Sequence, residues 1–114
     1  MAKFLFVYRG KPDAHAKMTP DEMQQHMEKW RVWITEGMQK GWMLDPGDAL
    51  NEGGRVVTAK VVTDGPFVES KEVLGGFSIV QADTIEAAAK HAKGCPGLLL
   101  GGSVEVRPMA GYTI

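Results

Sequence analysis

An apolar stripe at helical spacing is the clearest pattern along the chain, and it begins just after residue 19. Thr19-Pro20-Asp21-Glu22 has the form of a capping box, in which the Thr19 hydroxyl accepts from the Glu22 amide and the Glu22 side chain bonds back. Pro20 suits the first helical position, where its missing N–H costs nothing, and Gly41 supplies a C-terminal stop. The pattern predicts a helix over 20–40 with this apolar face: Met23, Met27, Trp30, Ile34 and Met38.

Strand patterns lie on both sides of this helix. Segment 3–8 has apolar side chains in both phases, which is typical of a central strand. β-Branched residues predict a strand over 55–63, and alternating polar and apolar residues predict a last strand over 103–107. The predicted strands are, in order: 3–8, a short one at 42–44, 55–63, 73–82 and 103–107.

Turn and capping residues separate the other elements. Asp45-Pro46-Gly47-Asp48 and Asn51-Glu52-Gly53-Gly54 have the composition of turns. Asp83 or Thr84 is a suitable N-cap for a second helix, which the apolar spacing predicts over 85–93.

The elements follow the order β-α-β-β-α-β within one domain over 1–114. That order predicts an α+β, ferredoxin-like fold, in which one antiparallel-rich sheet carries both helices on a single face. The other face needs a cover, because the strand over 3–8 carries Phe4 and Phe6 in one phase and Leu5 and Val7 in the other. We therefore expect a homodimer in which a second subunit covers this face.

Composition narrows the classes of function. The 114 residues are 44% hydrophobic and 24% charged, as in ordinary globular domains. A formal net charge of −1 gives no field that would recruit nucleic acid or an anionic membrane. No segment has the length of a membrane span or the organisation of a signal peptide. The single cysteine excludes an intramolecular disulfide, so we expect a reducing, cytoplasmic location.

Three segments of the second half carry a family resemblance. They are Thr63-Asp64-Gly65-Pro66-Phe67-Val68-Glu69-Ser70-Lys71-Glu72, Leu74-Gly75-Gly76-Phe77 and Gly102-Ser103-Val104-Glu105-Val106-Arg107-Pro108. In order and spacing the sequence resembles the YCII-related, DGPF-motif proteins of the dimeric ferredoxin-like class. The resemblance implies a dimeric α/β-barrel fold with two sheets face to face and a cleft beside the first helix. It implies little about activity, because this fold hosts unrelated functions.

The resemblance also implies catalysis through a histidine on the first helix and an aspartate before a proline after the second helix. The histidine matches His26, within Gln24-Gln25-His26-Met27. The aspartate position matches Cys95-Pro96, so the acid of that pair is absent here.

Apart from the resemblance, the local sequence also makes His26 the first candidate for a catalytic residue. On the helical wheel it lies about 60° from the centre of the apolar stripe, near Trp33, and so at the edge of a possible cleft. There it could act as a general base near neutral pH, with Trp33 contacting a ligand and Asp64 as the charged partner. The alternative is a half-buried histidine bonded to a backbone carbonyl.

Charged residues supply the other candidates. Asp64 and Glu69 in the DGPF loop could bind a polar substrate or exchange protons; alternatively the loop is a turn whose Asp64 satisfies nearby amides, or a dimer contact anchored by Phe67. Arg9 and Arg107 lie on strands that this topology makes neighbours. They could clamp a carboxylate, or they could form surface ion pairs.

The remaining candidates point to no metal and no cofactor. The histidines lack metal-ligand spacing, and Cys95 lies beyond a helix C-terminus, where a reactive thiolate is disfavoured. Two functions remain open. One is binding of a small aromatic or carboxylate-bearing metabolite with isomerase- or lyase-like acid–base catalysis at His26. The other is a non-catalytic binding or regulatory module in a transcription-linked context.

Overall fold

The computed structural model describes residues 1–64 and 73–112. Within them the chain forms six strands, two α-helices and one 3-10 helix. They run in this order: β1 Ala2–Gly10, α1 Pro20–Lys40, β2 Met43–Ala49, β3 Arg55–Val57, β4 Val62–Asp64, β5 Val73–Ala82, α2 Ile85–Ala92, the 3-10 helix Pro96–Leu100 and β6 Ser103–Pro108.

Four of the strands form one antiparallel sheet in the order β2-β5-β1-β6, with β1 in the centre between β5 and β6. Both α-helices contribute to the core on one face of this sheet. The remaining strands, β3 and β4, pair with each other as a separate two-stranded ribbon. This architecture is compatible with a ferredoxin-like fold, and the predicted α+β class is confirmed.

The core forms where alternate side chains of the central strands meet the helices. Phe6 and Val80 are fully buried, and Phe4 is nearly so. Trp33 of α1 stacks on Phe6 with ring centroids 6.4 Å apart and planes 9° from parallel. Burying a side chain of this size stabilises a fold by about 1.5–3 kcal/mol, so these few residues hold α1 on the sheet.

Local chemistry sets the ends of α1, and the structure confirms them. Thr19 Oγ accepts from the Glu22 amide at 3.1 Å, and the Glu22 carboxylate accepts from the Thr19 amide at 3.1 Å. At the other end Gly41 has φ 85°, a left-handed conformation that favours glycine over residues with a Cβ.

The predicted apolar face of α1 is only partly right: Trp30 and Ile34 are half-buried and pack against the core, but the centre of the buried face lies elsewhere. The buried residues are His26, Trp33 and Gly37, whereas Met27 and Met38 are more than half exposed. Packing shape decides the outcome: a Cβ at Gly37 would lie 2.7 Å from Trp42 Cζ2, so only glycine lets this part of α1 approach its neighbours. His26 consequently lies on the buried face of the helix and not at the edge of the stripe.

The predicted strand over 55–63 is wrong, because the chain reverses in its middle. Thr58 Oγ1 accepts from the amides of Val61 and Lys60 at 3.2 and 3.4 Å, and the Thr58 amide donates to the Val61 carbonyl at 2.8 Å. A threonine hydroxyl that bonds nearby amides offers the backbone an alternative to a continuous strand. The segment therefore forms the β3–β4 hairpin.

The segment predicted as a turn at 45–48 lies within β2, where it forms a β-bulge. The register against β5 shifts between Met43 and Asp48. Asp45 Oδ1 accepts from the Gly47 amide at 2.8 Å, and Gly47 has φ 66°. A Cβ on Gly47 would lie 1.9 Å from the Phe77 carbonyl oxygen, so the bulge requires glycine.

The C-terminal elements follow the predictions closely. Thr84 caps α2 by accepting from the Ala87 amide at 3.1 Å, and both α2 and β6 end within a residue of their predicted limits.

No helix in the described part of the chain combines the length and apolar character needed to cross a membrane.

Replacing Thr19 by Ala should lower the free energy of unfolding by about 0.5–2 kcal/mol, because the Glu22 amide loses its acceptor. Urea unfolding of the purified variant measures this loss. Thr19→Ser keeps the hydroxyl and should stay close to the parent. Equal stability of Thr19→Ala and the parent would contradict the capping role.

Candidate functional site

A cavity of about 430 Å³ lies beside α1, at the end of the sheet where β1 stops. The helix contributes His26, Met27, Trp30 and Ile34 to its wall. The sheet and loops contribute much bare backbone, from these glycines: Gly10, Gly47, Gly75, Gly76, Gly97 and Gly102. Most of the cavity surface is nevertheless apolar, and a few polar side chains lie on it, as is usual for small-molecule sites.

His26 is the most confined polar group of this cavity, with only 5% of its surface exposed. Its Nε2 accepts a hydrogen bond from the indole Nε1–H of Trp30 at 3.1 Å. The two residues are one helical turn apart, so α1 itself sets this contact. The ring of His15, which is exposed in the loop before α1, lies 5.5 Å from the His26 ring, centroid to centroid.

Burial lowers the pKa of His26, and the nearby His15 and Lys29 lower it further. All three causes disfavour the imidazolium. His26 is therefore neutral near pH 7.

Tyr8 forms the opposite wall and is fixed by a short hydrogen-bonded chain. Its hydroxyl donates to Ser78 Oγ at 2.8 Å, and Ser78 Oγ donates to the Pro46 carbonyl at 2.7 Å. The Tyr8 ring meets Trp30 edge-on, with centroids 4.9 Å apart and planes at 86°. Burial strongly raises the pKa of Tyr8, so its hydroxyl stays protonated and serves as a donor.

Cys95 lines the same cavity, although it follows α2 in the chain. Its thiol is free and buried, and burial raises its pKa to about 11. A thiol of this kind is neutral at pH 7 and a poor nucleophile.

The comparison with known proteins rests on the family match. A family model of the YCII-related domain matches residues 2–110, which is nearly the whole chain. The chain belongs to the YCII-related domain family. Among curated proteins none matches it.

In this YCII-related domain the two predicted arginines lie on adjacent strands, as expected, but both bind Glu105. Arg9 Nε is 3.4 Å and Arg107 Nη1 is 3.2 Å from the Glu105 carboxylate. The hydrogen bond from Arg107, followed by that from Arg9, lowers the pKa of Glu105. The two arginines therefore form ion pairs with Glu105, which was the alternative to a clamp on a ligand carboxylate. Arg9 also lines the cavity, whereas Arg107 does not.

Asp64 does not join His26, contrary to the sequence prediction. It ends β4 on the separate ribbon, pairs with Arg55 at 3.3 Å and has a side chain 92% exposed. It is not among the residues that line the cavity. The hairpin at Thr58 causes this placement, because it directs β4 back along β3 and away from α1. Glu69 and the DGPF loop over 65–72 lie outside the described residues.

Trp33 does not line the His26 cavity either. It stacks on Phe6 in the core and borders a shallower groove on the other side of α1, together with Glu28, Lys93 and Leu99. Trp33 shares the buried face of α1 with His26 but lies seven residues, about 10.5 Å, further along the helix axis. Trp30, one turn from His26, is the residue that bonds to it.

Sequence reasoning missed Tyr8, His15, Ser78 and the polar role of Trp30. Tyr8 alternates along the first strand with Phe4 and Phe6, which indicates that its side chain faces the core. The alternation does not indicate which residue its hydroxyl bonds. His15 lies in a loop with no pattern of its own. In the described residues, no cluster of three or more His, Cys, Asp or Glu side chains is arranged to hold a metal ion.

The lowered pKa of His26 predicts a pH dependence of stability. The unfolded chain has the ordinary value of 6.5 and binds more protons below that pH than the folded chain. The free energy of unfolding is therefore fully retained above about pH 6.5 and falls as the pH drops towards the folded pKa. His91, whose pKa burial also lowers, adds to the same loss.

His26→Gln removes one of these two titrations and keeps an acceptor for Trp30. Its free energy of unfolding should fall less than that of the parent between about pH 7.5 and pH 5, measured by urea unfolding. Equal losses in the two proteins would show that the folded pKa of His26 is ordinary.

Proposed function

We propose that this YCII-related domain binds a small metabolite in the His26 cavity and carries out acid–base chemistry of isomerase or lyase type there. The observation that carries the proposal is a neutral, almost fully buried histidine on the wall of an accessible, largely apolar cavity. A polar group held in this way satisfies the requirements of a recognition or proton-transfer group.

Cavity size and lining support a small aromatic or carboxylate-bearing ligand. The volume of about 430 Å³ falls within the range of roughly 300–1,000 Å³ that is common for small-molecule sites. The aromatic edges of Tyr8 and Trp30 favour contact with a flat ring. Arg9 and His15, which also line the cavity, can donate hydrogen bonds to an oxygen that carries partial or full negative charge.

Four groups on the cavity wall bear on proton transfer. His26 and His15 carry imidazole rings, the groups most often used in general acid–base catalysis, and Tyr8 remains a donor. Asp48 also lines the cavity, but its Oδ1 already accepts from the Ala49 amide at 2.8 Å. The two histidines are therefore the proposed catalytic pair.

One observation favours the rival proposal of a non-catalytic binding or regulatory module. The Nε2 lone pair of His26, which a general base would use, is already bonded to Trp30. The position that would supply the acid of a His–Asp pair is the neutral Cys95 thiol. A cavity with these properties can recognise a ligand without converting it.

We further propose a homodimer in a reducing, cytoplasmic compartment. The sheet face away from the helices carries the half-buried Leu5, Val7 and Ile79, together with Phe77, which is 36% exposed. These side chains are register neighbours on β1 and β5 and so form one apolar patch. A second copy is the proposed cover, and the single free thiol supports the compartment.

A metabolite screen by thermal shift tests the binding proposal. A ligand that binds only the folded protein raises the melting temperature by mass action. Replacing His26 by Gln should keep part of that shift if the role is recognition, and should abolish turnover of the ligand if the role is proton transfer. His91→Gln, which alters a histidine outside the cavity, should bind and act as the parent does. A ligand shift unchanged in His26→Gln would exclude His26 from the site.

Light scattering tests the dimer. The protein should have twice the 12.4 kDa mass of one chain at micromolar concentration, since a stable pair of this kind removes about 1,200 Å² or more from solvent. Val7→Lys puts a charge into the proposed interface and should shift the mass towards one chain, whereas Lys3→Glu near the edge of the same face should not. A parent protein of single-chain mass would contradict the proposal.

A further inference from the structure

Building on the proposed function, we infer that Trp30 fixes His26 as the neutral Nδ1–H tautomer, so that His26 meets its ligand as a hydrogen-bond donor. The site then selects ligands that present a carbonyl or carboxylate oxygen. Trp30 is a positioning residue in this account, because it acts through His26.

The tautomer follows from the chemistry of the bond between the two side chains. An indole nitrogen carries a hydrogen and can only donate. The nitrogen that accepts from it, His26 Nε2, must therefore carry a lone pair and no proton. A neutral imidazole has one N–H, so the proton resides on Nδ1. Full protonation would place a hydrogen on each nitrogen and break the bond to Trp30.

Trp30 cannot easily turn away, because three neighbours fix its indole. Tyr8 meets it edge-on at 4.9 Å and Trp33 at 5.8 Å, centroid to centroid. On a third side the indole lies against the 3-10 helix, where a Cβ at Gly97 would be 3.3 Å from Trp30 Cζ2. Tyr8 is itself fixed through Ser78. The donor is therefore in place before any ligand arrives.

The charged groups around His26 favour the same ligand class. His15 before α1, Lys29 on α1 and Arg9 at the end of β1 are the nearby or cavity-lining bases. The acids are Asp48 on β2, which lines the cavity, and Glu105 on β6, which pairs with Arg9. Burial, then His15 and Lys29, lower the pKa of His26 and keep it neutral. An oxygen with negative character is the partner that an Nδ1–H and this excess of basic groups would bind.

This assignment divides the proposed chemistry between the two histidines. With Nε2 bonded and Nδ1 protonated, neutral His26 has no free lone pair for a proton. It would instead polarise a carbonyl oxygen, as neutral imidazoles do in some isomerases. His15, exposed at the cavity and 5.5 Å from His26 between ring centroids, would be the proton acceptor.

Nitrogen-15 NMR of the ligand-free parent protein at about pH 7.5 measures the tautomer directly, since protonated and lone-pair imidazole nitrogens have well-separated shifts. We expect a lone-pair Nε2 and a protonated Nδ1 for His26. In Trp30→Phe the Nε2–H form should grow and the pKa of His26 should rise, because a bond to the neutral form is lost.

Trp42→Phe is the matched control. Trp42 stacks on His91 at 4.5 Å between centroids and does not bond His26. This variant should move the His91 signals and leave the His26 tautomer unchanged. A parent His26 with Nε2–H, or a tautomer unaffected by Trp30→Phe, would overturn the inference. If Trp30→Phe does not fold, the spectrum of the parent decides alone.

Simple probes test the ligand class. Acetophenone and benzoate carry an oxygen acceptor, whereas toluene and benzylamine do not. We expect the first two to shift the His26 Nδ1–H resonance and to bind at least tenfold more tightly than the second two. Equal binding of all four would overturn the selection for oxygen.

The same data separate this inference from the function on which it rests. An Nδ1–H tautomer with no binding of any probe or screened metabolite would support the role of Trp30 and count against the proposed function. Binding in the cavity with an Nε2–H tautomer would support the function and overturn the role of Trp30.

Discussion

The contact between the aromatic side chains of α1 and β1 is the constraint on which the rest of the molecule depends. Trp33 stacks on Phe6, and Trp30 meets Tyr8 edge-on. The spacings are compatible, because three helical residues advance about 4.5 Å and two strand residues about 6.6 Å, so consecutive rings can pair. The helix runs opposite to β1, so His26, one turn before Trp30, falls where β1 ends at Gly10. The cavity forms there because the sheet no longer fills the space under the helix.

The polar atoms of these aromatic side chains are hydrogen-bonded. The Tyr8 hydroxyl donates to Ser78, which donates to the Pro46 carbonyl, and the Trp30 indole N–H donates to His26. Among the described residues, no buried side-chain nitrogen or oxygen lacks a partner. Buried networks that are fully bonded hold one arrangement, because any other would leave a desolvated polar group. The donors that face the cavity are therefore positioned by the core itself.

Sequence reasoning was most successful where residues act on their immediate neighbours. The capping box at Thr19 and the stop at Gly41 depend on local chemistry, and the family resemblance depends on motifs that can be read directly in the sequence. It failed where packing decides. Hydropathy prefers Met27 and Met38, but the sheet accepts Trp33 and requires Gly37. His26 was found from its place on the first helix, whereas its position across a cavity from Tyr8 depends on how the strand and helix are brought together.

The coupling between Trp30 and His26 tests this account most directly. A double-mutant cycle with Trp30→Phe, His26→Leu and the combined variant, followed by urea unfolding at about pH 7.5, isolates their interaction from each residue's own packing. The account predicts a favourable coupling of about 0.5–1.5 kcal/mol, the usual contribution of one hydrogen bond. Effects that add within about 0.3 kcal/mol would show that the two side chains are independent, and would contradict the claim that the aromatic contact positions His26.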